Sequence, residues 1–174
     1  GLALRRAGIA RPILVLLATP DELGKAGQVR LTPCLHSPEL VASVIADPTL
    51  VADVHVEVDT GMHRTGLHPS TVVSALTALY ARGIVVSGLM SHLAGADDSA
   101  LDSITLSQFR TFDRVVDDIR AAGLQVPPRH VIASAGVMRF PERSMEMVRV
   151  GLALMGIAPS PECNALHLVP ALTL

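Results

Sequence analysis

An arginine in a glycine-flanked loop is the feature of this sequence that most directly suggests ligand binding. The loop, residues 59–66, follows an alternating apolar and polar run, residues 54–58, which is typical of a β-strand. Gly61 and Gly66 give the loop backbone freedom, so Arg64 is predicted to lie at the carboxyl end of that strand. A guanidinium there can bind a carboxylate or phosphate through two parallel hydrogen bonds. Taken alone, the segment fits a solvated turn arginine equally well.

Three further polar residues lie at or near the ends of predicted strands: His92, Ser134 and Arg149. Each has a structural interpretation when considered alone, since a histidine or serine after a strand often completes a local hydrogen bond. Open α/β sheets and barrels bind ligands at the carboxyl ends of their strands. The four polar groups together therefore predict one pocket.

Alternating apolar and amphipathic segments predict the elements that position these residues. Strands are predicted at residues 13–17, 30–34, 54–58, 85–91, 130–133 and 147–155. Helices are predicted at about residues 38–46, 69–82 and 101–122, from their caps and apolar stripes. Serial βα units predict an α/β fold with parallel strands, in a barrel or a doubly wound sheet. Six strands in 174 residues fit part of a TIM-like (β/α)8 barrel or all of a smaller sheet.

Composition narrows the class of partner. With 49% hydrophobic and 17% charged residues, the chain can bury a sizeable core. A net charge of -2 without a basic block argues against nucleic acid or an anionic membrane as partner. No segment approaches the roughly 20 apolar residues of a membrane helix, so we expect a soluble protein. Cys34 and Cys163 lack redox or zinc spacing, which favours reduced thiols in the cytoplasm.

Several common chemistries fit the sequence poorly. His63 and His68 are five residues apart and lack metal-ligand spacing, so no metal site is predicted. No phosphate loop or dinucleotide-binding glycine pattern occurs. Ser134 lacks the flanking glycines of a nucleophile elbow. The predicted pocket, with arginines, a histidine and a serine, is best suited to an anionic cofactor.

At these residues the chain resembles the alanine racemase family, pyridoxal-phosphate enzymes with an N-terminal eight-stranded barrel and a C-terminal β-domain. Similar segments occur along the whole chain, at residues 32–33, 36–37, 58–66, 91–97, 134–135, 139–142, 148–159 and 170–174. The resemblance implies that residues 1–169 are about six of the eight βα units of the barrel. It also implies that residues 170–174 begin a C-terminal β-domain.

The resemblance assigns cofactor-binding roles to five residues of this sequence. Arg149 would donate a hydrogen bond to the pyridine nitrogen of pyridoxal 5'-phosphate, and His92 would pack against the ring. Ser134 and the backbone N–H groups of Gly151 and Leu152 would hold the phosphate, which suits a dianion because backbone donors are fixed in place.

The resemblance also implies a substrate-binding residue. Arg64 would lie near the phenolic oxygen of the cofactor and the carboxylate of the substrate. Many family members support this arginine with a lysine that is modified to a carbamate. Glu57 stands at that position here, and we hypothesise that it supplies the same negative charge directly.

No catalytic residue is assigned within this chain. The family uses a Schiff-base lysine in its first barrel strand and a tyrosine in its C-terminal domain. The lone lysine, Lys25, falls in a predicted outer helix, and the lone tyrosine, Tyr80, falls in another. Racemisation needs one base on each face of the substrate's Cα, so the chain as given is expected to be inactive. It begins at Gly1 rather than methionine, and we expect a piece of a longer protein.

The function implied for the complete protein is interconversion of L- and D-alanine, for cell-wall D-alanine supply, by a cytoplasmic homodimer. Three alternatives remain open at this point. One is a non-catalytic pyridoxal-phosphate-binding barrel, and another is a racemase of broader substrate range. The third is a related amino-acid decarboxylase, which Arg149 argues against because those enzymes place a glutamate at the pyridine nitrogen.

Overall fold

The computed structural model describes residues 1–163 and 166–171, and its strands form one parallel sheet. The strands are β1 (Leu14–Val15), β2 (Thr32–Leu35), β3 (Asp53–Glu57), β4 (Val85–Met90) and β5 (Arg129–His130). Their order across the sheet is their order in the sequence. This arrangement confirms the predicted α/β class and is that of consecutive βα units in part of a (β/α)8 barrel.

Six α-helices accompany these strands: α1 (Leu2–Arg6), α2 (Leu23–Gln28), α3 (Pro38–Ala46), α4 (Val72–Ala81), α5 (Asp102–Ala121) and α6 (Ser134–Arg139). The predicted helices are confirmed as α3, α4 and α5. At the start of α3, the Ser37 hydroxyl accepts a hydrogen bond from the Leu40 N–H, 3.4 Å away, as its sequence predicts. Within the described part of the chain, no helix has the length and apolarity needed to cross a membrane.

The two faces of the sheet differ in chemistry. Val54 and Val56 of β3 belong to the hydrophobic core, together with the apolar stripe of α5 that the sequence predicted as its packing face. That stripe contains Phe109, Phe112, Val116 and Ile119. His55 and Glu57 alternate with the valines and therefore project to the opposite face. Both are buried, so this second face places polar side chains where they need partners.

A small polar cluster lies on that second face near the amino ends of the strands. The Thr32 hydroxyl donates a hydrogen bond to the Asp53 carboxylate at 3.1 Å. Ser87 of β4 also donates to this carboxylate. These bonds join β2, β3 and β4 through side chains, in addition to the backbone ladder.

The predicted sixth strand, residues 147–155, is not a strand. Arg149 makes one isolated parallel bridge with Ala133, and a 3₁₀-helix, Leu152–Met155, begins shortly afterwards. Pairing stops because the neighbouring chain turns into α6 at Ser134 and offers no further extended residues. On the other side, Gly151 adopts φ -122° and ψ -78°, which ends the extended conformation.

Strand β2 also begins later than predicted, at Thr32 instead of Arg30. Arg30 has a φ of +52°, a left-handed conformation incompatible with a strand. Its N–H donates to the Gly27 carbonyl at 2.9 Å, which completes the turn after α2. Strand β5 is likewise shorter than predicted, since only Arg129 and His130 join the ladder. The predicted domain boundary at residue 170 stays a prediction, because residues 172–174 lie outside the described residues.

Gly66→Ala should destabilise the protein more than Gly83→Ala, because an added Cβ has no space at position 66 and has space at position 83. Gly66 has a φ of +114°, and an added Cβ would lie 2.5 Å from the Asp59 nitrogen. Strain and overpacking together predict a loss of about 3 kcal/mol in the free energy of unfolding. Gly83 has a φ of +72° but no neighbour within 4 Å, so Gly83→Ala should cost only about 1 kcal/mol. Chemical denaturation measures both, and equal losses would contradict the steric argument.

Candidate functional site

The guanidinium of Arg149 lies across the carboxyl ends of β4 and β5. Its Nη2 donates to the carbonyl oxygens of Ser91 at 2.7 Å and Val131 at 2.9 Å, and its Nη1 donates to that of His130 at 2.9 Å. Three carbonyl dipoles from two strand ends thus hold one cation. The position of the guanidinium is fixed by backbone rather than by a mobile side chain.

Two imidazoles complete the environment of Arg149. Its Nη1 lies 2.7 Å from His130 Nδ1, and its Nη2 lies 3.0 Å from His92 Nδ1. A guanidinium has no acceptor, so both Nδ1 atoms can only accept and both rings are neutral; the two N–H groups of Nη2 are shared among Ser91, Val131 and His92. Burial, with a further contribution from the Arg149 charge, lowers the pKa of His130 to about 3 and that of His92 to about 4.

The hydrogen bond from Arg149 also determines how His130 contacts the residue behind it. With Nδ1 accepting, the ring proton of neutral His130 resides on Nε2, which lies 2.9 Å from His55 Nδ1. His130 therefore donates to His55, whose own pKa is lowered mainly by burial. The result is a chain of hydrogen bonds that runs from Arg149 through His130 on β5 to His55 on β3, on the polar second face of the sheet.

Gly88 of β4 makes room for this chain. A Cβ at Gly88 would lie 2.4 Å from both Cε1 and Nδ1 of His55, which pairs with Gly88 in the sheet register. The glycine is required here because the imidazole lies directly against the backbone of the neighbouring strand.

A second group of donors converges on Ser134. Its Oγ accepts hydrogen bonds from the backbone N–H of Gly151 at 3.0 Å and of Ala153 at 3.2 Å. The structure thus brings the predicted residues Ser134 and Gly151 into contact, and Leu152 lines the same cavity. Since the Ser134 oxygen accepts two bonds, its own proton remains to be donated to a ligand.

The predicted cofactor residues surround one open cavity of about 370 Å³. Its lining includes His92, Ser134, Arg149, Gly151 and Leu152. This volume falls in the range of small-molecule sites. Within this lining, Arg149 supplies positive charge and the Ser134 hydroxyl supplies a hydrogen-bond donor.

Arg64 lies in a loop that its own sequence shapes. The Asp59 carboxylate accepts from the backbone N–H of Gly61, Met62 and His63, at 2.9, 3.0 and 3.0 Å. The Arg64 side chain is exposed, and its charge helps to lower the pKa of His92 after burial and Arg149. Arg64 does not line the cavity that contains His92, so its contact with a ligand stays a prediction.

Glu57 is buried, and its charge acts on Arg149. No hydrogen bond or ion pair joins Glu57 to Arg64 among the described residues. Burial lowers the pKa of Arg149, and the charge of Glu57 opposes that effect. Burial also raises the pKa of Cys34, with Glu57 the second cause, so this thiol stays protonated. Support of Arg64 by Glu57 stays a prediction.

The other reactive residues lie away from this cavity or show no metal-binding arrangement. Lys25 is exposed on α2, and the Tyr80 hydroxyl on α4 donates to the Gln125 carbonyl at 3.1 Å. Both cysteines are free and buried. In residues 1–163 and 166–171, no three histidine, cysteine, aspartate or glutamate side chains cluster in a way that could hold a metal ion.

Sequence reasoning missed three buried polar residues of the site: His55, His130 and Gln108. The first two occupy inward positions of strands, where an apolar residue is the usual choice. Gln108 lies within the apolar stripe of α5, next to Phe109. The signal that could have revealed each of them is a polar residue at a position where the periodicity of the strand or helix predicts a buried side chain.

The fold and the site together define an α/β barrel-type domain that binds a ligand at the carboxyl ends of its strands. The family model described as "Alanine racemase, N-terminal domain" matches residues 1–159. The chain belongs to this family.

Relatives and solved structures agree with this assignment. The chain is 37% identical over 164 residues to "Alanine racemase 1" of Oceanobacillus iheyensis, covering 91% of this chain and 43% of that protein. A solved alanine racemase from Clostridium difficile 630 superposes with a TM-score of 0.88 at 29% identity, covering 98% of this chain and 49% of that one. The alanine racemase from Bacillus anthracis with bound L-Ala-P gives 0.86 at 29% identity, with 98% and 46% covered. The chain spans about half the length of these proteins.

The neutral imidazoles predict that stability falls in mild acid. The folded-state pKa values of His92 and His130, about 4 and about 3, lie below the ordinary value of 6.5, so the unfolded chain binds more protons between these limits. The contribution of these two histidines to the free energy of unfolding is complete above pH 6.5. It decreases as the pH falls towards 4, by up to about 1.4 kcal/mol per pH unit for each histidine. Unfolding free energies measured at pH 7, 6 and 5 test this. His130→Asn keeps an acceptor for Arg149 but cannot be protonated, and should reduce the slope; an unchanged slope would contradict the assignment.

Proposed function

We propose that the complete protein containing this chain is a pyridoxal-phosphate-dependent alanine racemase that interconverts L- and D-alanine. The observation that carries the proposal is the position of Arg149 across the strand ends, in a chain of the alanine racemase N-terminal domain family. The relatives named above support alanine as substrate.

The residues around the cavity suit pyridoxal 5'-phosphate. Among the described residues, the hydrogen bonds of Arg149 engage Nη1 and Nη2 and leave its Nε–H free for a ring nitrogen. Ser134, with its free hydroxyl proton beside the Gly151 and Ala153 amides, can donate to a phosphate. A cation and a hydroxyl donor in one cavity match a nitrogen heterocycle that carries a phosphate. When bound, this cofactor would supply a conjugated ring that acidifies the Cα proton of an attached amino acid.

Arg149 would control the protonation of the ring nitrogen. A guanidinium donates to that nitrogen and accepts nothing in return, so it keeps the nitrogen unprotonated. The three carbonyl oxygens that hold Arg149 prevent the cation from moving away. Restraining the ring in this way favours return of the proton to Cα over side reactions of the cofactor.

The other residues would hold the substrate and cofactor in place. Arg64, exposed in the loop after β3, would bind the substrate carboxylate through paired hydrogen bonds. His92, neutral and held by Arg149, would pack against the cofactor ring. Gly151 and Leu152, which line the cavity together with Ser134, would lie at the phosphate.

The two proton-transfer bases would come from parts of the complete protein outside this chain. Lys25 and Tyr80, the lone lysine and tyrosine, lie on α2 and α4 rather than at the cavity. The relatives are about twice as long, which supports a further domain after residue 169. We accordingly propose that residues 1–169 bind the cofactor and do not racemise alanine by themselves.

We also propose that the complete protein is a cytoplasmic homodimer that supplies D-alanine for the cell wall. Apolar side chains around the 3₁₀-helix Leu152–Met155 support an assembled state, since Leu154 is 74% exposed and Met155 is 59% exposed. Exposed apolar groups at this density commonly mark surfaces that are covered in an assembly.

A racemisation assay of the full-length protein tests this function. Purified protein with pyridoxal 5'-phosphate should convert L-alanine to D-alanine, detected with a D-amino-acid-specific enzyme. Arg64→Met should raise the KM for alanine by about 10- to 100-fold, because a charged hydrogen-bond donor is lost. Arg149→Lys should lower kcat by at least about tenfold, since lysine lacks the fork that spans both strand ends. Arg110→Met, on the exposed face of α5, is the matched control and should change neither.

Two results of this assay would contradict the proposal in different ways. Cofactor binding without racemisation of any amino acid would favour a non-catalytic pyridoxal-phosphate barrel. Faster turnover of other amino acids than of alanine would favour a racemase of broad specificity.

Glu57→Gln tests whether the buried carboxylate supports substrate binding. If Glu57 supplies the charge that orients Arg64, the variant should raise the KM for alanine by about tenfold and leave cofactor affinity unchanged. If its charge acts mainly on Arg149, cofactor affinity should fall while the KM stays constant. Glu142→Gln, on an exposed residue, serves as control. Unchanged substrate binding would end the hypothesis that Glu57 replaces the modified lysine.

A further inference from the structure

A buried glutamine on α5 contacts both loops that carry the proposed ligand-binding residues. Gln108 is 1% exposed, although it lies on a helix whose buried face is otherwise mainly apolar. Its Oε1 accepts from the Ala94 N–H at 2.9 Å. Its Nε2 donates to the His92 carbonyl at 2.9 Å and to Thr60 Oγ1 at 3.3 Å. Both amide protons and the amide oxygen are thus used.

These contacts place Gln108 between two loops that are separate in the sequence. Thr60 lies in the loop that presents Arg64, and His92 with Ala94 lies in the loop after β4. An added Cβ at Gly61 would lie 3.6 Å from Gln108 Cγ, so the stem of the glutamine also lies beneath the Arg64 loop. One side chain of α5 is therefore hydrogen-bonded to both loops.

The hydrogen bonds continue from Gln108 to the arginine at the strand ends. Since Gln108 donates to Thr60 Oγ1, the Thr60 proton is free for Ser91 Oγ, 2.7 Å away. The Ser91 carbonyl accepts from Arg149 at 2.7 Å. Gln108 is thus linked to the surroundings of Arg64, His92 and Arg149 without lining the cavity itself.

We infer that Gln108 is a positioning residue that holds the Arg64 loop and the His92 loop at a fixed separation for cofactor and substrate binding. The inference rests on the proposed function for the ligands it names. The coupling of the two loops stands on the hydrogen bonds alone. A buried carboxamide with all its partners is stable only in one geometry, because an unpaired donor or acceptor at this depth is costly.

Gln108→Met in the full-length protein provides the first test, since methionine fills similar space and makes none of these hydrogen bonds. Hydrogen exchange of the protein without cofactor should become about tenfold faster in residues 60–65 and 92–96. The dissociation constant for pyridoxal 5'-phosphate, measured by absorbance, and the KM for alanine should both rise by a similar factor. The chemical step, measured by kcat at saturation, should change less than the KM.

Thr105→Val is the matched control on the same helix. Thr105 is buried one turn before Gln108, and its Oγ1 has no hydrogen-bond partner among the described residues. Removing that hydroxyl should leave exchange in both loops and the dissociation constant unchanged. Leu79→Ala on α4 is the control for a general loss of stability. Leu79 is fully buried in the core, so this variant should lower the free energy of unfolding without an effect confined to the two loops.

Thr60→Val is a milder second variant in case Gln108→Met does not fold. It removes the hydroxyl that connects the Arg64 loop to Gln108 and to Ser91, and it leaves the hydrogen bonds of Gln108 to His92 and Ala94 in place, so exchange should rise more in residues 60–65 than in residues 92–96. Unchanged exchange in both loops of folded Gln108→Met, or a rise no greater than in Leu79→Ala, would overturn the inference. Failure of the wild-type protein to bind the cofactor would refute the proposed function, while the exchange results would still decide whether Gln108 couples the loops.

Discussion

The site depends on one half-buried cation whose charge is held by backbone dipoles. Arg149 receives three carbonyl oxygens from the ends of β4 and β5, and no carboxylate is hydrogen-bonded to it among the described residues. A guanidinium held in this way keeps its net positive charge for a ligand, because no anion neutralises it at contact distance. The histidines beside it must then be neutral, since a second positive charge at 2.7 to 3.0 Å would be strongly unfavourable.

This arrangement explains why one face of the sheet is polar. The carbonyls available to Arg149 come from Ser91, His130 and Val131, which follow or end strands whose other face packs against helices. His130 accepts a hydrogen bond from Arg149 and donates one to His55, so the network extends from the strand ends into the sheet. Each is satisfied by the next, so the polar face is stable although it is buried.

Much of the fold followed from the sequence because local signals agreed with it. The Ser37 cap, the glycines after α4 and α5, and the stripe of α5 each predicted helix position correctly. The sixth strand was wrong because a strand also needs a partner, and the chain beside residues 150–155 had already turned into α6. The error at Arg30 arose because an apolar run does not reveal a left-handed residue within it.

The site was predictable only in part. His92, Ser134 and Arg149 line one cavity, as the sequence predicted, because each follows or adjoins a strand end, whereas the role of Arg64 stays a prediction. Gln108 and His55 could not be assigned roles, because their contacts join residues 48 and 75 positions apart. Such contacts become visible only when the sheet brings distant segments together.

The close approach of His55 to Gly88 constrains how sequences of this kind can diverge. Any side chain at position 88 would overlap the imidazole, whose atoms lie 2.4 Å from the site of an added Cβ. A smaller residue must therefore replace His55 before a residue with a side chain can replace Gly88. Substitution of Gly88 first would pass through a poorly folded intermediate. The two positions are expected to covary among homologues, with substitutions accumulating along only one of the two possible paths.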